Sequence, residues 1–181
     1  VPIIGAQFPA DGYVVQADAI ELRASGTVVR VGDGSGTDTA RSATMNVALT
    51  GTGGLVKDDV GTLVLRGTSS YTGGTTVKAG VLVGDTLSLR GNIVNNAEVV
   101  FDPNLFVVGS YNGAMSGSGR LRKIGGGILL LGSANSYTGG TFVDGGLLST
   151  DVTGALGSGP VSVAAPGRLL FGINGDAGGA A

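Results

Sequence analysis

Short apolar runs separated by glycine and small polar residues make up most of the chain. The runs are rich in Val, Ile and Leu, which is typical of β-strands between turns. In Leu63–Leu65 and Leu87–Leu89 the leucines alternate with another residue, so we expect one face of each strand in the core and the other in solvent. Helical periodicity is nearly absent. The predicted strands are Tyr13–Val15, Ile20–Leu22, Thr27–Val31, Leu63–Leu65, Val81–Val83, Leu87–Leu89, Val99–Phe101, Leu129–Leu131, Leu147–Leu148, Val161–Val163 and Leu169–Phe171.

One stretch of this pattern occurs twice. Residues 51–83 realign with 117–149 at a constant offset of 66, and both copies contain Ser-Tyr-Thr-Gly-Gly-Thr, at 70–75 and 136–141. Self-similarity at a fixed period is typical of solenoids, whose units bury their apolar faces against one another. The offset divides into three coils of about 22 residues, each long enough for three short strands. We therefore predict an all-β parallel β-helix of about eight coils, with stacked Leu, Val and Ile inside.

The whole chain, 1–181, reads as a single β-helix segment of a longer protein. We expect degenerate coils in 1–50, a first repeat block in 51–116 and a second in 117–181. Phe101–Leu105 interrupts the glycine rhythm and predicts a protruding loop. The tail, Gly175–Ala181, predicts a frayed end. Neither end carries an amphipathic cap, so we also expect end-to-end self-association through exposed strand edges.

Composition excludes several kinds of function. The 36 glycines require many turns, and 42% hydrophobic residues favour a folded chain. A net charge of −2 with scattered basic residues excludes nucleic acid as a partner. No apolar run approaches a membrane helix. The chain begins at Val1 without a basic leader, so we expect any targeting signal to have been removed.

The chain has no histidine and no cysteine. It therefore contains no Ser-His-Asp or Cys-His nucleophile pair, no zinc site of the usual kind and no imidazole general base. A chain that crosses an oxidising space unfolded also benefits from lacking cysteine, because a premature disulfide would block its passage. We predict no enzymatic activity, no cofactor, and no catalytic, cofactor-binding or metal-binding residues.

Specific motifs resemble a known family. Gly53–Lys57, Gly61–Leu65, Ser70–Val77 and Gly80–Leu82 closely resemble the autotransporter-associated β-strand repeat, also called the passenger-associated transport repeat. The second copy, with Lys123, Gly127–Leu131 and Tyr137–Leu148, matches nearly as well. The segments 91–97 and 154–161 are similar to the connecting coils of such proteins.

The resemblance implies a passenger domain of type V secretion, on or released from the surface of a Gram-negative bacterium. It implies a right-handed parallel β-helix and, during export, the passenger's own outer-membrane β-barrel translocator as partner. We expect a structural stalk that folds outside the cell and presents an adhesive or effector region. Two alternatives remain: an adhesin segment that binds a host matrix protein or glycan directly, with the loop 102–106 as its contact, or the non-catalytic β-helix of an autotransporter hydrolase or protease.

Three patterns of acidic residues have more specific interpretations. Asp33 and Asp38 flank a Gly-Ser-Gly that is similar to calcium-binding β-roll loops, but such sites need tandem copies and an ordinary turn is favoured. Asp58 and Asp59 are adjacent, so on a strand their carboxylates diverge, and a solvated turn is favoured over an acid–base pair. The eleven aspartates are scattered, unlike the calcium cluster of β-helical polysaccharide lyases.

Two kinds of turn residue leave two interpretations each. Tyr71 and Tyr137 could stack on a sugar, but we favour packing against the following turn, and exposure of both rings would revive sugar binding. The equal positions of these residues in the repeat predict that they lie three coils apart. Asn92, Asn95 and Asn96 could form an amide ladder, although capping of turns is favoured.

Overall fold

The computed structural model describes residues 1–104 and 107–172, and these contain strands and turns without a helix. No membrane-spanning helix is therefore found in that part of the chain. The strands are β1 (Pro2–Ile3), β2 (Gly5–Phe8), β3 (Tyr13–Val15), β4 (Ala19–Leu22), β5 (Thr27–Val31), β6 (Ser42–Met45), β7 (Ala48–Thr50), β8 (Leu55–Asp58), β9 (Thr62–Leu65), β10 (Thr75–Val77), β11 (Val81–Gly84), β12 (Ile93–Asn95), β13 (Glu98–Phe101), β14 (Val108–Tyr111), β15 (Met115–Ser116), β16 (Arg120–Lys123), β17 (Ile128–Leu131), β18 (Thr141–Val143), β19 (Leu147–Thr150), β20 (Val161–Val163) and β21 (Arg168–Phe171).

The strands form the three faces of a solenoid. The first face is the six-stranded sheet β2-β5-β8-β10-β12-β15, and the second is the eight-stranded sheet β3-β6-β9-β11-β13-β16-β18-β20. The third face carries β1-β4-β7 near the start of the chain and β14-β17-β19-β21 near its end. Every strand pair is parallel, for example Leu63 beside Leu82 and Leu82 beside Val99. The eight strands of the second face mark eight coils, so the predicted all-β parallel β-helix is confirmed, and its right-handed sense follows the crossover rule for parallel strands.

The coils differ in length, and this corrects the predicted spacing of the repeats. Val81 pairs with Glu98 in the next coil, 17 residues later, whereas Tyr13 pairs with Ala43, 30 residues later. In the repeat region three coils take only 60 residues, because Leu55 is connected through two intermediate strands to Met115. An offset of 66 therefore corresponds to three coils plus one face. The first copy begins on the first face, with β8, and the second begins on the second face, with β16.

The core is a set of inward columns in which aliphatic side chains from successive coils stack. On the second face Ala43, Leu63, Leu82, Val99 and Leu121 follow one another in register, and each is at most 1% exposed. The strand alternation drives this arrangement, because it aims every second residue at the axis. Removal of this apolar surface from water is the main stabilising contribution.

Leu87–Leu89 forms a turn, so the predicted strand there is wrong. The Asp85 carboxylate accepts hydrogen bonds from the backbone N–H groups of Leu87 and Ser88, which closes the chain into a turn. Consequently the expected faces are also wrong: Leu87 is 52% exposed, whereas Ser88 is buried next to Leu89. A local side-chain acceptor here outweighs the apolar alternation.

The asparagines bind backbone groups, as the favoured interpretation predicts. Asn92 and Asn96 accept hydrogen bonds from the N–H groups of Ala114 and Ser118 in the next coil. Buried Asn95 accepts from the Ala97 N–H and donates to the Arg120 carbonyl. These side chains therefore join neighbouring coils at a corner.

Two predicted end and loop features fall partly outside the described residues. Phe101 is the last residue of β13 and is fully buried, so the loop begins only after it, at Asp102. The rest of the predicted loop, Leu105 and Phe106, and the predicted frayed tail lie outside the described residues.

Candidate functional site: the buried corners of the two repeats

A lysine in each repeat points into the core. Lys57 is the third residue of β8 and stands in an inward column between Val29 and Val77, with no exposed surface. Its ammonium donates three hydrogen bonds to backbone carbonyls: to Asp58 at 3.0 Å and Asp59 at 2.7 Å in its own turn, and to Ala79 at 3.1 Å in the next coil. One buried cation thus bridges two successive corners.

The second copy reproduces this arrangement. Lys123 is fully buried between Phe101 and Val143, and its ammonium donates to the carbonyls of Ile124 at 2.6 Å, Gly125 at 3.0 Å and Gly145 at 3.0 Å. Each of these residues lies 66 positions after its counterpart. Sequence reasoning missed the role of these lysines, although alternation already places Lys57 on the side of Leu55 and Lys123 on the side of Leu121.

The environment of the two ammonium groups lowers their basicity. Burial lowers the pKa of both Lys57 and Lys123 to about 8, because the charged form loses its hydration. Nearby carboxylates only partly oppose this effect, chiefly Asp59 for Lys57 and Asp102 for Lys123. At neutral pH both side chains are therefore still mainly charged and fully hydrogen-bonded.

We expect the free energy of unfolding to rise between about pH 8 and pH 10. In this window the unfolded lysines, with an ordinary pKa of about 10.5, bind more protons than the folded ones, so the folded state gains stability as the pH rises. Above about pH 10 the sign reverses, because burial raises the pKa of Tyr137 to about 12 and also raises that of Tyr71. Urea titrations across this range measure the effect.

In the same titrations the Lys123→Met variant should lose about half of the rise, since it removes one of two equivalent lysines. A stability that is flat or falling from pH 8 to pH 10 in the unmodified chain would contradict this assignment of the buried lysines.

The two tyrosines fill the corners where the repeats lack a strand. Tyr71 is 2% exposed and Tyr137 is fully buried. Their hydroxyls lie within hydrogen-bond distance of the Thr75 and Thr141 hydroxyls, at 2.7 Å and 2.5 Å respectively. Packing against the turn is therefore confirmed, and the rings offer no face for a sugar. Because of the extra face in the repeat offset, the two corners lie on different sides of the solenoid.

The aspartates of the glycine-rich loop are held by an arginine. Arg41 forms ion pairs with Asp33 at 2.7 Å and with Asp38 at 2.9 Å. Hydrogen bonds from Ser35, followed by the contact with Arg41, lower the pKa of Asp33 to about 2. Asp33 also accepts the Ser35 N–H, so the favoured interpretation as an ordinary turn agrees with the contacts.

Asp58 and Asp59 serve in a turn. Asp58 pairs with Arg30 at 3.6 Å, whereas the Asp59 carboxylate accepts the N–H of Gly34 from the preceding coil. Asp59 has a φ of 66°, close to the 69° of Gly125 at the same place in the second copy. The left-handed backbone at this position explains the glycine, and Asp is among the few other residues that tolerate it.

Within residues 1–104 and 107–172 no group of acidic side chains is arranged to hold a metal ion. The contacts described above bind turns to neighbouring coils. The arrangement is chemically suited to fixing a rigid rod.

Comparison with known proteins identifies the repeat. The passenger-associated-transport-repeat family matches residues 55–83 and 121–149, the two segments that contain the buried lysines and tyrosines. The chain is similar to the protein named adhesin BmaC autotransporter from Brucella suis biovar 1 (strain 1330), with 37% identity over 196 aligned residues. That alignment covers 93% of this chain and 6% of the relative, so the chain spans a small part of that protein. No solved structure matches.

The two matches agree with the geometry, because the matched segments are the ones whose corner residues recur at the offset of 66. They indicate secretion or surface display by a Gram-negative bacterium. This chain belongs to the autotransporter passengers that carry passenger-associated transport repeats.

Proposed function

We propose that the chain is a stalk segment of an autotransporter passenger, which presents an adhesive or effector region and supports export by folding outside the cell. The observation that carries this proposal is the uninterrupted stacking of eight coils in register. At the inter-strand spacing of about 4.8 Å, eight coils extend on the order of 40 Å. An outer-membrane translocator domain is the partner that this function requires.

The contacts between coils support the role in export. Each coil that docks buries its inward column against the preceding one, and Lys57 reaches its third carbonyl only when the coil containing Ala79 is in place. Sliding back would then expose apolar surface and leave a buried ammonium without an acceptor, which is costly. Folding coil by coil would thus help to draw the chain outward.

A display assay tests this function. A reporter domain is fused to a translocator either directly or through this chain, and the reporter at the cell surface is measured by flow cytometry. We expect severalfold more reporter with the chain present and a loss of this gain in the Lys57→Met, Lys123→Met double variant. Exposed Lys78 is the control, since Lys78→Met removes a cation without touching the core. Equal display with and without the chain would contradict the proposal.

A second candidate is direct adhesion. The similar Brucella protein is named an adhesin, which favours a non-enzymatic role for this chain as well. Asp102, at the start of the predicted contact loop, is paired with Arg66 at 2.9 Å and is therefore held against the rod. Binding to an immobilised host matrix protein, lost when the loop 102–106 is shortened, would favour this candidate over a purely structural stalk.

A further inference from the structure

A polar recess occurs on the third face where two successive coils lack a strand. Its walls are the segment around Tyr71, the turn 85–91 and the end of β14 near Tyr111. The recess has a volume of about 430 Å³. This lies within the range of about 300 to 1,000 Å³ that is usual for small-molecule sites.

The polar side chains that line this recess are unusual because they have no partner in the protein. Among the described residues, none of them forms a side-chain hydrogen bond, although the neighbouring corner asparagines all do. Most are exposed, and one is half-buried. These side chains are Ser70, Thr72, Thr86, Ser110 and Asn112. They present hydroxyl and amide groups that can both donate and accept hydrogen bonds.

Arg90 adds a positive charge to the same recess. Its guanidinium makes one long hydrogen bond, 3.4 Å, to the Thr86 carbonyl. In the part of the chain that the structure describes, no carboxylate lies within ion-pair distance of it. The backbone at this position is fixed, because the Arg90 N–H donates to the Tyr71 hydroxyl at 3.1 Å. The cation is therefore accessible to an anionic group and is held at a defined corner.

The second repeat copy provides an internal comparison. The positions 66 residues after Arg90 and Thr86 are Leu156 and Val152, and they line a second recess around the turn 151–157. Gly91 and Gly157 have nearly equal φ angles, 67° and 68°, so the two turns end with the same backbone conformation. The fold of the repeat thus accepts leucine where Arg90 stands, and Arg90 is not required by the turn.

We propose that this recess binds a carboxylated sugar residue, such as a uronic acid, with Arg90 contacting the carboxylate and the surrounding hydroxyl and amide groups contacting the sugar hydroxyls. A polyhydroxylated ring fits a lining rich in small donors and acceptors, and the guanidinium selects an acidic sugar over a neutral one. The buried tyrosines contribute only the floor of the recess. This binding site goes beyond the stalk function and does not depend on it.

Glucuronate, with glucose as the neutral comparison, tests the proposal on the 181-residue chain by NMR titration of backbone amides. We expect glucuronate to shift the amides of 70–72, 85–91 and 110–113, and to bind about tenfold or more tighter than glucose, because a charge-assisted hydrogen bond is lost with the neutral sugar. The Arg90→Leu variant, which copies the second repeat, should bind glucuronate about tenfold more weakly with an unchanged melting temperature.

Arg23 is the matched control, since it is exposed, lies outside the recess and makes no ion pair within the described residues. The Arg23→Leu variant should bind as the unmodified chain does. Three results would each overturn the proposal: no shift of the recess amides at millimolar glucuronate, equal binding of glucose and glucuronate, or equal loss of binding in both leucine variants. None of them would affect the display assay.

Discussion

The Lys57→Met variant should lose about 3 kcal/mol of unfolding free energy at pH 7. Methionine fills nearly the same volume but donates no hydrogen bond, so it leaves the carbonyls of Asp58, Asp59 and Ala79 without the ammonium that they now share. Removing one partner from a buried charged contact is far more costly than never having buried it. Urea denaturation followed by circular dichroism measures the change.

Lys78→Met is the control for the loss of a positive charge, because Lys78 is exposed on a neighbouring coil. It should change the unfolding free energy by less than about 0.5 kcal/mol. We expect Lys123→Met to resemble Lys57→Met, since the two lysines have equivalent contacts. A Lys57→Met variant as stable as the control would mean that the buried ammonium does not hold the corners together.

The Leu63→Ala variant should lose about 2 to 5 kcal/mol, as large-to-small substitutions in a packed core usually do. Leu63 has no exposed surface and lies in the inward column between Ala43 and Leu82. Its neighbours belong to two other coils, so the cavity weakens the contact of one coil with both adjacent ones. Thermal and urea unfolding of the variant measure the loss.

The next residue of the same strand is the matched control for this substitution. Val64 is half-buried and points away from the axis, beside Thr44 and Val83. Val64→Ala should cost no more than about 1 kcal/mol, because it empties no core space. Similar losses in the two variants would contradict the assignment of an inside and an outside to β9.

The sequence alone predicts the type of fold because its signal is repeated many times. The duplicated segment and the many short apolar runs all require stacked strands, and one misassigned run, Leu87–Leu89, does not change that conclusion. Asp85 captures two backbone amides there, and a contact of that kind depends on the local conformation rather than on the alternation of residue types.

The relation between the two repeats could not be predicted from their offset. A period of 66 is compatible with three equal coils, and only the strand register shows that the coils are shorter and that the copies face different sides. Coil length depends on how many residues each corner takes, which varies from coil to coil without changing the inward columns. The roles of Tyr71 and Tyr137 follow from the motif, whereas their positions around the axis do not.

The recess at Arg90 was also beyond sequence reasoning. Arg90 and Leu156 occupy equal places in the repeat, but the difference between them gains meaning only when the turn 85–91 is seen to border a polar hollow. The buried lysines stand between these two cases. Alternation places them inside, yet the carbonyls that make a buried ammonium tolerable come from turns whose geometry the sequence does not specify.

Cross-linking of stacked coils tests the parallel register most directly, and the absence of cysteine in the chain makes it clean. Val64 and Val83 are register partners in adjacent coils, whereas Val64 and Val100 are two coils apart. A disulfide requires Cα atoms about 4.4 to 6.8 Å apart, which neighbouring strands satisfy and next-nearest strands do not. Oxidation should therefore close the Val64→Cys, Val83→Cys pair in the folded chain and leave the Val64→Cys, Val100→Cys pair reduced, whereas the opposite outcome would contradict a parallel β-helix with this register.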